Sequence, residues 1–141
     1  MREYAEMFLK SEIGKYLLHE SSMKEFICDK SQINIVFDDG FWTKTHNQLE
    51  QCKIILKIDN LEKNNADHFV NIKRSIVRKR GVFSRQISIA ELEIMLKKNK
   101  LFIDSEFYSD FEHAILIFGR ISRYAIEIKI TDIKEISFIH A

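Results

Sequence analysis

Residues 124–131 constrain this chain more than any other segment. Tyr124, Ile126, Ile128 and Ile130 alternate with Ala125, Glu127, Lys129 and Thr131. Only an extended strand sends successive side chains to opposite faces, so this period of two predicts a strand with one apolar face and one wet face. The period recurs at Ile33, Ile35 and Phe37, interleaved with Asn34, Val36 and Asp38. It recurs again in residues 52–59, where Ile54, Leu56 and Ile58 lie opposite Lys53 and Lys57. Isoleucine supplies 22 of the 141 residues, and its branched Cβ packs well on a pleated surface. Residues 114–118 form an apolar run of strand length that Gly119 breaks, residues 101–103 suit a brief strand, and Ile136, Phe138 and His140 suggest a last one.

Other segments carry helix and turn signals. In residues 2–19, Tyr4, Met7, Phe8, Ile13, Tyr16 and Leu17 recur at helical spacing, weakened by Gly14. Ser22 and Glu25 form a capping-box pattern that predicts a short helix through Cys28. Asp39-Gly40 predicts a tight hairpin turn, with residues 41–45 as the returning strand. Residues 66–80 read two ways. Phe69, Ile72 and Ile76 fit a helix that Gly81 would cap, while Val70, Ile72 and Ile76 fit a strand turning at residues 78–81 into residues 82–86. Ser88 and Glu91 open the best-marked helix, residues 88–99, with Lys97, Lys98 and Lys100 at its negative end. Short connections favour antiparallel pairing. The expected fold is therefore α+β: a mainly antiparallel sheet of about five or six strands, with an N-terminal helix and a central helix 88–99 packed on it. No internal repeat is visible in the sequence.

Length predicts a single domain over residues 1–141, which should bury roughly two thirds of its unfolded surface. Hydrophobic residues at 45% and charged residues at 30% mark a globular chain. Proline is absent and glycine numbers 4, which excludes proline-motif and linker-rich classes. Uncharged stretches fall short of the roughly 18 residues that span a bilayer, and the charged N-terminal region lacks a signal-peptide core. Two cysteines, Cys28 and Cys52, make no disulfide framework. The expectation is a cytoplasmic protein that does not engage membrane.

Net charge is only +1, but the charges are segregated. Residues 68–90 contain no acid and carry Lys73, Arg74, Arg78, Lys79, Arg80 and Arg85, leaving 16 basic against 21 acidic residues elsewhere. Lysine and arginine at this density can neutralise phosphates, and Phe69 and Phe83 could stack on bases, so residues 73–85 are a candidate nucleic-acid surface. The alternative is a solvated face or a patch paired with acids, and the sequence pI of about 7.8 is modest for a nucleic-acid domain. Asp104, Glu106, Asp110 and Glu112 interleave with Phe107, Tyr108 and Phe111. An acidic, aromatic surface of this kind suits docking on a basic protein, and a helix burying Phe107 and Phe111 explains it equally well. Trp42, beyond the expected Asp39-Gly40 turn, is a candidate interface anchor or a core residue.

Chemical motifs are sparse. Glu127-Ile128-Lys129 resembles the E-x-K element of the PD-(D/E)xK nucleases, in which a strand presents a metal-binding carboxylate and a lysine on one face. Asp110 or Glu112 would have to supply the second acid, and a charged strand generates this spacing by chance. The five histidines have no Cys or His partner at metal-ligand spacing, and Asp38-Asp39-Gly40 lacks a calcium-loop ligand series. No P-loop, dinucleotide fingerprint or G-x-S-x-G occurs. Cys28 as a nucleophile competes with the commoner buried apolar thiol. No catalytic residue, metal or cofactor is expected. The leading expectation is a non-catalytic protein-binding module. The size and composition suit a small inhibitor of the toxin-neutralising immunity type, which occludes a partner's active site through Trp42 and residues 104–112 or through residues 73–85. Nucleic-acid binding through 73–85 is the competing class, and a metal-dependent nuclease the third.

Overall fold

A computed structural model describes residues 16–43, 48–59, 61 and 66–140, the side chains of Tyr16, Gln48, Glu50 and His140 excepted. Among these residues ten strands and one α-helix are formed in this order: β1 (Tyr16–Leu17), β2 (Ser22–Cys28), β3 (Gln32–Thr43), β4 (Gln48–Lys57), β5 (Val70–Arg78), β6 (Gly81–Ile87), α1 (Ile89–Lys98), β7 (Leu101–Ser109), β8 (Ala114–Ile121), β9 (Tyr124–Ile130) and β10 (Glu135–His140). A 3-10 turn, Ala66–His68, leads into β5. All strand pairings are antiparallel. The expected α+β fold of five or six strands is thus corrected to a mostly antiparallel sheet with one α-helix among the described residues. The expected N-terminal helix lies outside the described residues except at its end, where Tyr16 and Leu17 pair instead with Thr43 and Trp42.

The strand order is β10-β4-β3-β2-β7-β8-β9-β5-β6, with β1 beside β3. It contains two meanders, β2-β3-β4 and β7-β8-β9, which meet where Ser22 pairs with Phe102 and Met23 with Leu101. Each meander hands its next strand to the other: β5 leaves β4 to pair with β9, and β10 leaves β9 to pair with β4. The two halves are therefore tied by an exchange that no local pattern encodes. The junction is held by Ser21, the only fully buried polar side chain among the described residues. Its Oγ donates to the Gly40 carbonyl at 3.0 Å, and its carbonyl accepts from Ile103 N–H at 2.9 Å.

Several elements differ from expectation for identifiable reasons. The segment read as a short capped helix is β2. Met23 and Phe26 are both buried at a spacing of three because the ladder to β3 slips between Met23 and Glu25. A bulge adds one residue, so a three-residue spacing in a strand imitates a helix turn. The expected reversal at Asp39-Gly40 does not occur. β3 runs through it to Thr43, with an irregularity in its pairing to β4 between Asp39 and Trp42. Residues 70–87 take the hairpin reading, with β5 and β6 in unbroken register from Ile72–Ile87 to Arg78–Gly81. The acidic run lies on β7, with Asp104 and Glu106, and in the β7–β8 turn, with Asp110 and Glu112, rather than on a helix. Strand β8 continues through Gly119 to Ile121.

The alternating strands form as expected, with Ile33, Ile35, Phe37, Ile54, Leu56, Ile126, Ile128 and Ile130 in one buried cluster. Helix α1 packs on β2 and buries Ile89, Leu92 and Leu96. Ser88 caps it, its Oγ accepting from Glu91 N–H at 3.1 Å. Ser88→Ala should cost about 1 kcal/mol of stability, read as a lower urea midpoint with an unchanged slope.

Candidate binding surface

Hairpin β5–β6 occupies one end of the sheet order. Ile72 and Ile87 are its last pair facing the core. From there to the tip the register puts Arg74, Ile76, Arg78, Phe83 and Arg85 on one face. Lys73, Ser75, Val77, Val82, Ser84 and Gln86 occupy the other. The tip is Lys79-Arg80, followed by Gly81 at φ 129°, a conformation open to glycine and strained for other residues. Val77 is 78% exposed, Val82 64% and Phe83 53%. On the arginine face, Tyr124 of β9 joins the hairpin to line a shallow depression of about 160 Å³. The Arg74 guanidinium lies 4.6 Å from the centre of the Tyr124 ring, a geometry that stabilises the cation and fixes its direction.

Two hairpin cations have acidic partners in the chain. Lys73 Nζ lies 3.1 Å from Glu127 Oε2, and Arg85 Nη2 lies 2.9 Å from Glu91 Oε2 at the start of α1. Arg78, Lys79 and Arg80 are exposed around the turn. The hairpin thus combines a concentrated positive charge with apolar side chains displayed to solvent.

The acidic segment is treated differently. Asp104 receives Arg120 Nε and Nη2 at 3.0–3.2 Å. Glu112 pairs with Lys129 at 2.9 Å. Glu106 Oε1 accepts from Leu18 N–H at 3.0 Å. Tyr108 packs against the core, with its hydroxyl buried and without a partner among the described residues. Burial raises the Tyr108 phenol pKa, with the nearby Glu106 adding to it. Asp110 lies exposed in the β7–β8 turn beside Phe111, which is 96% exposed. Trp42 is half-buried, with Nε1 enclosed and unpartnered among the described residues. Segment 16–18 comes between it and the acidic strand, since Leu17 pairs with Trp42 and Leu18 donates to Glu106. Three of the four acids therefore meet cations or an amide within the chain.

Glu127 and Lys129 project from the same face of β9, as their spacing requires. Each is engaged by an opposite charge, Glu127 by Lys73 and Lys129 by Glu112. Among the described residues no three His, Cys, Asp or Glu side chains gather as metal ligands would. A surface depression of about 500 Å³ lies between β2 and α1 and includes Cys28, Glu93, Leu96 and Lys97. Burial pushes the Cys28 thiol up to about 12, with Glu93 and Asp67 adding to it. Thiolate is the reactive form, so such a group is roughly a thousandfold less ionised near neutral pH than an ordinary thiol. Iodoacetamide should therefore label native Cys28 very slowly and label it readily in urea. Rapid labelling of the native protein would restore it as a nucleophile.

The composite is an antiparallel β protein, with no described helix long and apolar enough to cross a membrane, that displays a cationic hairpin. No family model matches the chain, and neither a curated protein nor a solved structure gives a match. Alternation at Val70, Ile72 and Ile76 offered the hairpin as one of two readings and did not decide it, because residues 77–86 bury neither face. The acid-free charge run located the cationic segment itself.

Proposed function

We propose that this chain is a non-catalytic binding module that docks on a protein partner and occludes its functional surface, in the manner of a small inhibitor. Hairpin β5–β6 is the contact element, and the partner surface is acidic. The observation carrying this reading is the joint exposure of Val77, Val82 and Phe83 beside Arg78, Lys79 and Arg80. Apolar anchors supply affinity when desolvated, and a surrounding field of one sign speeds and orients encounter. The acidic segment is the weaker contact element, because Arg120, Lys129 and the Leu18 amide already engage three of its acids.

A second reading is single-stranded nucleic acid laid on the arginine face. Arg74 stacked on Tyr124, with Phe83 exposed nearby, favours it. The two separate in one set of measurements. Coexpressed with products of adjacent genes, the protein should form a one-to-one complex that persists at physiological salt. The double substitution Arg78→Glu, Arg80→Glu should weaken it by roughly a hundredfold, a typical cost for interface residues of this kind. Labelled single-stranded DNA or RNA, followed by fluorescence anisotropy, should dissociate as salt rises to the physiological range. Tight binding that survives physiological salt would transfer the function to nucleic acid.

A further inference from the structure

We infer that the outer edge of β6 is a strand-addition site for an extended, acidic polypeptide segment. The inference rests on the binding-module reading and specifies how the partner is held. Strand β6 is last in the sheet order, and no described residue pairs with its outer side. Its first six residues, Gly81 to Gln86, are all exposed, and no other described part of the chain covers them. An open edge presents unpaired amide and carbonyl groups to any extended chain that approaches. Proteins commonly blunt such edges with proline, bulges or very short strands. Here the chain has no proline, the register to β5 has no shift, and the strand is seven residues long.

Charge selects the occupant. A second copy of β6 contains no acidic residue, so it offers Arg85 and the Arg78-Lys79-Arg80 turn no opposite charge. An acidic strand instead places carboxylates on alternate residues of the face that carries Arg78 and Arg85, where Arg78 is the cation at the tip and Arg85 already pairs with Glu91. Its intervening residues fall beside Val82, Ser84 and Gln86 on the other face. Val82 and Val77 are directly paired there, so an apolar residue of the added strand gains contact at that position. A strand edge alternates main-chain donors with acceptors, which another peptide backbone matches in both senses while a phosphate chain offers acceptors only, so the free edge favours a polypeptide.

The probe is a capped, fluorescein-labelled peptide of sequence Glu-Val-Glu-Thr-Glu-Val-Glu-Thr. The controls are the same peptide N-methylated at every residue and an oligothymidylate of similar length. The expected result is saturable peptide binding at low salt, weakened by roughly tenfold or more on N-methylation. Amide exchange measured by NMR should slow at alternate residues of Gly81 to Ile87 and remain unchanged in β10. The doubly reversed variant Arg78→Glu, Arg80→Glu should lose the peptide while keeping the parent's melting profile. Peptide binding that tolerates N-methylation and protects no β6 amide would overturn edge pairing and leave the hairpin as a side-chain surface. Absence of peptide binding would likewise overturn edge pairing. Oligothymidylate binding that outlasts the peptide at physiological salt would overturn both edge pairing and the protein-binding reading.

Discussion

Phe41→Ala is expected to lower the unfolding free energy by about 3–5 kcal/mol, the range for truncating a buried aromatic residue. Phe41 is fully buried. Its ring meets Phe37 edge-on at 5.2 Å and Phe138 at 5.6 Å. Phe138 belongs to β10, the strand that the second meander contributes to the first. The cavity would therefore open where the exchanged strand is anchored, and the loss would reach both halves of the sheet. A domain of this kind has about 5–15 kcal/mol of stability in total, so the variant should unfold at much lower urea. A loss below about 1 kcal/mol would place Phe41 outside the core.

The neighbouring residue should fail for the opposite reason. Gly40→Ala adds one methyl group where there is no room. A Cβ on Gly40 would lie 2.0 Å from the Leu49 carbonyl oxygen and 2.6 Å from Cys52 Sγ. The nearest atom is backbone, which cannot rotate away as a side chain can. Overpacking of this severity should cost about 3 kcal/mol or more. Gly40→Asn makes the comparison decisive. A tight turn at Asp39-Gly40 with positive φ would accept asparagine at little cost. Within the irregular interior of β3 it should be at least as damaging as alanine. Urea unfolding of both variants distinguishes the two structures directly: a tolerated Gly40→Asn would restore the turn.

Function and stability should separate cleanly in mutagenesis. Arg78 and Arg80 are exposed at the tip of the hairpin, so their reversal should alter binding and leave the urea midpoint nearly unchanged. Phe41 and Gly40 should do the reverse, reducing binding only through loss of folded protein. A variant that binds less in proportion to its unfolded fraction thus reports on the fold rather than the surface.

The sequence by itself determined the strands at 33–37 and 124–130, the strand read at 52–59 and observed as Gln48–Lys57, and the helix after Ser88. Their signals are local. Period-two alternation needs only one buried face, and a cap needs only a serine three residues ahead of an amide. It also marked the cationic segment, because an acid-free run is visible without knowing its shape. Tertiary structure decided the rest. The bulge in β2 placed Met23 and Phe26 on one face and gave a strand the spacing of a helix. Close approach of Leu49 turned an apparent turn glycine into a packing requirement. Strand β6, exposed on both faces from Gly81 to Gln86, has no burial pattern to read there. Asp104 finds Arg120, and Glu112 finds Lys129, only because β7, β8 and β9 lie side by side. Which charges are neutralised and which remain free for a partner depends on those long-range pairings, and side-chain periodicity along one strand carries no information about the strand beside it.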